Sequence, residues 1–152
     1  MSNESSPAMF AATDRAAAQW GDLIILFARL VMGWLFFTNG WMKLMNPGGF
    51  VTYLTNLKVP SPELLAWPAL LAELGIGIAL ILGIATRYAS IFTFVYLIIT
   101  ILVAHRYWEY PAAQQNAQYA HFCKNLALMG GALMLFWAGA GRYSADAKLR
   151  GR

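Results

Sequence analysis

Four apolar stretches, each close to the length that crosses a bilayer, constrain this chain more than any other feature. They cover residues 23–44, 64–86, 88–105 and 122–140. A hydrocarbon layer of about 30 Å needs about 20 apolar residues in a helix. Backbone N–H and C=O groups find no water in that layer, so each stretch must satisfy them internally, as a helix. The expected fold is therefore all-α, an integral membrane four-helix bundle. Composition agrees: 59% of the 152 residues are hydrophobic, 12% are charged, and the mean hydropathy is +0.51. Soluble domains carry about 25% charged residues, so half the usual solubilising surface is missing. That argues against a disordered chain and a water-soluble globule. The formal charge of +4 is spread thinly along apolar segments. It suits orientation in a membrane and gives no reason to expect a nucleic-acid partner.

The segments between the spans divide the chain. Residues 1–22 are rich in Ser and Ala and read as a flexible N-terminal arm. They lack the continuous apolar core of a secretory signal. Residues 23–146 form the four-span domain, and 147–152 a basic tail. Asn46, Pro47, Gly48 and Gly49 have the chemistry of a turn closing the first span. Ser61 and Pro62 suit the N-cap and first turn of the second. The second and third spans meet at Arg87 with almost no loop, which demands a tight antiparallel hairpin. Residues 106–121 form a polar connector, part of it helical along the interface. Four crossings put both termini on one side. Arg15, Arg87, Arg142, Lys148, Arg150 and Arg152 lie there, against Lys43, Lys58, Arg106 and Lys124 opposite. The excess of positive charge favours cytoplasmic termini.

Ionisable groups inside spans are costly in lipid and mark functional sites by default. Arg29 lies in the first span, with Asn39 and Lys43 on one face near its far end. Glu73 is near the middle of the second span. His105 ends the third, closely followed by Trp108, and Lys124 and Asn125 open the fourth. Arg29 and Glu73 are expected to form a structural ion pair joining the first two spans. Asn39, Lys43, Glu73, His105, Trp108, Lys124 and Asn125 are expected to line a polar cavity open to the outer face. Arg29, Gly33, Phe36, Gly40 and Lys43 recur at helical spacing along one stripe. Its glycines would let a neighbouring helix approach closely. A plainer account competes with this one. A buried pair can simply fix helix register, lysines snorkel to headgroups, and Trp and His residues populate the interface.

Some chemistries find no support. The single cysteine, Cys123, cannot form a dithiol within one chain. There is no CxxC, HExxH or P-loop pattern. His105 and His121 have no carboxylate placed beside them in sequence, which makes a poor case for haem or zinc. No catalytic residue and no metal site is assigned.

The run Arg29-Leu30, Gly33, Asn39-Gly40-Trp41-Met42-Lys43-Leu44 resembles the opening signature of the DoxX family of small membrane proteins. Val59-Pro60 with Pro62, Glu73 with Gly77, Leu82-Gly83 with Thr86-Arg87, and His105 with Trp108 extend the resemblance. So do Phe122, Lys124-Asn125-Leu126-Ala127, Gly130-Gly131, and Gly139-Ala140-Gly141-Arg142-Tyr143-Ser144 with Asp146. Asn39 stands where many members carry histidine, so no histidine role transfers to it. The resemblance implies a four-helix protein of the bacterial inner membrane and an accessory subunit of a quinone-linked redox system. Electrons would come from a soluble or membrane redox partner, since the chain has no evident carrier of its own. Quinone is the cofactor to consider, with Lys43, Lys124 and Asn125 bonding its carbonyls, His105 exchanging a proton and Trp108 stacking on the ring. The alternative is a non-catalytic membrane scaffold or small-molecule carrier. Self-association into a homo-oligomer stays open.

Overall fold

A computed structural model describes residues 8–151 of the chain, and short connectors aside they are helical. Helix α1, Ala8–Met45, carries the first apolar stretch. A short helix α2, Pro47–Asn56, leads into α3, Pro62–Leu82, and α4 follows at Thr86–Ala104. After one 3-10 turn at Tyr107–Glu109 come α5, Ala112–Ala138, and a closing helix α6, Ala145–Leu149. Among the described residues, three segments are long and apolar enough to cross a membrane: α1, α3, and α4 continued through the 3-10 turn. Helix α5 has the length, about 40 Å at about 1.5 Å per residue, with its polar residues gathered in its first half. It lies antiparallel to α4 along the whole crossing. Arg87 Nη2 donates to Trp137 O at 3.3 Å at one end, and His105 meets Gln118 at 2.9 Å near the other.

The bundle is apolar outside and buries a few polar groups beside an apolar core. Phe27, Trp34, Leu71, Phe92, Ile99 and Trp137 are each more than half exposed, on all four long helices. A water-soluble monomer rarely shows such continuous apolar surface. Arg29, Glu73, Ser90, Thr93 and Asn125 are buried instead. Ser90 and Thr93 return their hydroxyls to the Thr86 and Ala89 carbonyls of their own helix. Between them, Met32 and Phe36 of α1, Ile76 and Leu80 of α3, Leu97 of α4 and Leu135 of α5 form one core cluster.

Helices α1 and α3 make the tightest seam, and glycine permits it. A Cβ on Gly33 would stand 2.9 Å from Gly77 O, one on Gly40 2.8 Å from Leu74 N, and one on Gly77 2.5 Å from Phe37 N. These contacts fix an antiparallel register in which Glu73 faces the turn of α1 holding Lys43, and Arg29 faces Gly83.

Among the elements, the structure corrects one expectation and extends three others. Residues 8–22 are helix, not a flexible arm, because the Ala-rich run from Ala11 to Gln19 favours helix and simply continues α1; residues 1–7 lie outside the described residues. Asn46 ends α1 as expected, its N–H donating to Met42 O and Lys43 O at 3.2 Å. It also caps α2, its side chain accepting from Gly49 N at 3.0 Å, with Pro47 in the first turn. The helical part expected in the connector 106–121 is the start of α5, which begins ten residues before Phe122. Helix α6 is anchored to the bundle: Ala147 is buried and Asp146 N donates to Gly83 O at 2.9 Å. The turn at residues 83–85 is as tight as expected, with Gly83 and Ala85 at φ +68° and +47°.

Candidate functional site: a polar cavity and an arginine centre

The cavity lies between α1, α3, α4 and α5, toward the end of the bundle away from the termini. Its volume is about 220 Å³. At about 30 Å³ per water it holds several waters or one small ring. Leu35, Phe36, Leu97 and Leu128 supply apolar walls. Glu73 forms part of its floor, in an ion pair with Lys43. The Tyr96 phenol faces Glu73. Asn125 is 3% exposed, and its Nδ2 has no hydrogen-bond partner among the described residues. Toward the mouth, the His105 and His121 rings stack with centroids 5.0 Å apart. His105 Nδ1 lies 2.9 Å from Gln118 Oε1. With the amide oxygen as acceptor, Nδ1 carries the proton, and in the neutral ring Nε2 is left as an acceptor. Lys124 Nζ lies 3.5 Å from His121 Nδ1.

Of the seven residues expected there, the structure brings Asn39, Lys43, Glu73, His105, Lys124 and Asn125 to one cavity. Asn39 sits on the rim and spends its amide on Leu35 O at 2.7 Å. Trp108 is not on the wall. It packs against Tyr107 and Phe122 in an aromatic cluster that docks the 3-10 turn onto α5, so the stacking role assigned to it does not carry over. Tyr53, Tyr96 and His121 also line the cavity and were missed as cavity residues. Tyr96 had a signal, a hydroxyl in the middle of an apolar span. Tyr53 had none, since its helix was not expected.

The expected Arg29–Glu73 pair does not form. In the α1–α3 register Glu73 faces the region of Trp41, about 18 Å along α1 from Arg29 at about 1.5 Å per residue. Arg29 instead anchors a second centre at the terminal end. It is fully buried, and Nη2 donates to Tyr143 O at 2.5 Å. Asp146 is its electrostatic partner. Asp146 also accepts from Ala85 N at 2.7 Å and Thr86 N at 2.9 Å, capping α4. Burial pushes the Asp146 carboxyl up, but those hydrogen bonds and the nearby Arg150 outweigh it and hold the group below its ordinary value. Asp22 accepts from Arg142 N at 2.8 Å, tying the start of the first apolar stretch to the end of the bundle.

The family model for DoxX matches residues 24–106. The chain belongs to the DoxX family. It is 30% identical to inner membrane protein YphA of Escherichia coli (strain K12) over 124 residues, 82% of this chain and 89% of that one. It is 33% identical to inner membrane protein YqjF of the same organism over 125 residues, 82% of this chain and 91% of the relative. No solved structure matches. The apolar exterior and these relatives together identify a DoxX-family protein of the bacterial inner membrane.

Proposed function

We propose that this DoxX-family protein is an accessory subunit of a quinone-linked redox system and that its cavity takes the quinone headgroup. The observation that supports the reading most is the Asn125 amide, a buried donor on the cavity wall without a partner. An unsatisfied buried donor costs about 1–3 kcal/mol, which a ligand oxygen recovers. A flat ring with carbonyl acceptors meets the remaining requirements. Leu35, Phe36, Leu97 and Leu128 match its faces, and Lys124 offers a second donor at the mouth. A bound quinone supplies two-electron, two-proton chemistry, with the electrons delivered by a partner protein. The chain itself orients the ring through Asn125, excludes lipid with its apolar walls, and can pass a proton at His105 Nε2. The basic residues favour a cytoplasmic location for both termini, which opens the cavity toward the outer face.

The test is lipid extraction and mass spectrometry of protein purified in mild detergent. Quinone is expected at near-stoichiometric amount in the wild type and at least tenfold less in Asn125→Leu. No quinone in either, or equal amounts in both, overturns the reading. A second reading, a non-catalytic scaffold, draws on a different observation: Lys43 with Glu73 and Arg29 with Asp146 meet one another's charge inside the bundle. Capture of a partner by protein free of quinone would favour it.

A further inference from the structure

We propose that the terminal end of the bundle carries a second site, which binds the phosphate of an anionic phospholipid headgroup. A cleft of about 320 Å³ opens there, between the start of α4, the end of α5 and helix α6. Arg87, Arg142 and Arg150 line it, together with Asp22 and Asp146. The two carboxylates are already engaged. Asp22 accepts from the Arg142 backbone. Asp146 caps α4 and faces buried Arg29. Counting Arg29 behind the cleft, four guanidinium groups stand against two carboxylates. Among the described residues Arg87 has a carbonyl partner, Trp137 O at 3.3 Å, and no carboxylate in an ion pair with it. Guanidinium groups match phosphate oxygens in paired hydrogen bonds better than any other side chain does.

Depth identifies the source of the phosphate. Asp22 immediately precedes the apolar stretch of α1, Arg87 opens α4, and Gly139 follows the end of α5. The cleft therefore lies at the boundary of the apolar layer, where headgroup phosphates sit. Ala138 on its wall is exposed and adjoins Trp137 on the lipid-facing surface. Basic pockets between spans at that level are suited to anionic headgroups. Free phosphate carries the same chemistry, so the experiment separates the two sources.

Thermal unfolding of the full chain in mild detergent is followed with added phosphatidylglycerol, phosphatidylcholine or inorganic phosphate. Phosphatidylglycerol is expected to raise the midpoint several degrees beyond phosphatidylcholine, and the excess shrinks in high salt. Arg87→Gln with Arg150→Gln is expected to remove at least half of that excess. Lys58→Gln, at the opposite end, leaves it intact and controls for general loss of charge. A shift with inorganic phosphate alone, lost in the double variant, keeps the phosphate site but gives it to a soluble ester. Equal shifts with both lipids, or an excess that survives the double variant, overturn the proposal. Should the double variant unfold during purification, native mass spectrometry of the wild type decides. Retained phosphatidylglycerol supports the site, and none retained overturns it.

Discussion

Glu73 sits well inside the bundle because Lys43 comes down from the end of α1 to meet it. Removing one partner is worse than removing both, since the survivor keeps its desolvation and loses its counter-charge. Lys43→Met leaves the Glu73 carboxylate at 9% side-chain exposure without its cation, and is expected to cost about 3 kcal/mol. Adding Glu73→Gln should restore about half of that, read as detergent unfolding midpoints in a double-mutant cycle. Asp146 gives a pH signature. Its folded value lies below the ordinary 3.8. Its contribution is therefore complete above that value and lost as pH falls through the lower folded one. The wild type should lose more stability than Asp146→Asn between pH 5 and pH 3, measured by thermal unfolding at the two values. The sequence announces which polar groups turn inward, because lipid offers them nothing. It does not announce their pairing. Arg29 looked level with Glu73 only because depth was counted from the start of each apolar stretch. The real offset is set by glycine contacts between helices.

Glycine acts at the scale of elements through the seam between α1 and α3. Gly77 meets the backbone of Phe37, whereas Gly75, two residues before it, has nothing within 4 Å of an added Cβ. Gly77→Leu must push the helices apart and should cost about 3 kcal/mol. Gly75→Ala should be neutral or gain up to about 1 kcal/mol from helix propensity. Unfolding midpoints of the two variants in one detergent compare them directly. The long elements were legible because an apolar run of spanning length has one solution in lipid. Their ends were less so. Asn46 and Pro47 serve equally well to stop one helix and to start the next, and only packing of Phe50 and Leu54 on Ala66 and Leu70 decides for α2. Residues 112–121 carry too little apolar surface to signal a span, yet Tyr119 and Gln118 hold them in helix against the end of α4.

The whole molecule is a bundle with two polar centres, one near each end, separated by a core drawn from all four long helices. Its sidedness can be read by labelling. In a Cys123→Ser background, Lys58→Cys should react with a membrane-impermeant maleimide in intact cells. Lys148→Cys should react only after permeabilisation, and the reverse pattern would place the termini outside. Membrane class and family were legible from periodicity and motif, and the cavity largely so, since its residues gather at one end of their spans. Tyr53 escaped because its helix did. The hydrogen bond from Arg29 to Tyr143 bridges 114 positions of chain, and that separation bears on biosynthesis. At about 10 residues per second, a ribosome needs roughly ten seconds to deliver the acceptor after the cation has been made. For that interval the nascent first span carries a lone positive group into the translocon with no partner yet translated. Final assembly therefore waits for the last turn of the polypeptide to emerge, and a message truncated before Tyr143 should yield a product that quality-control proteases remove.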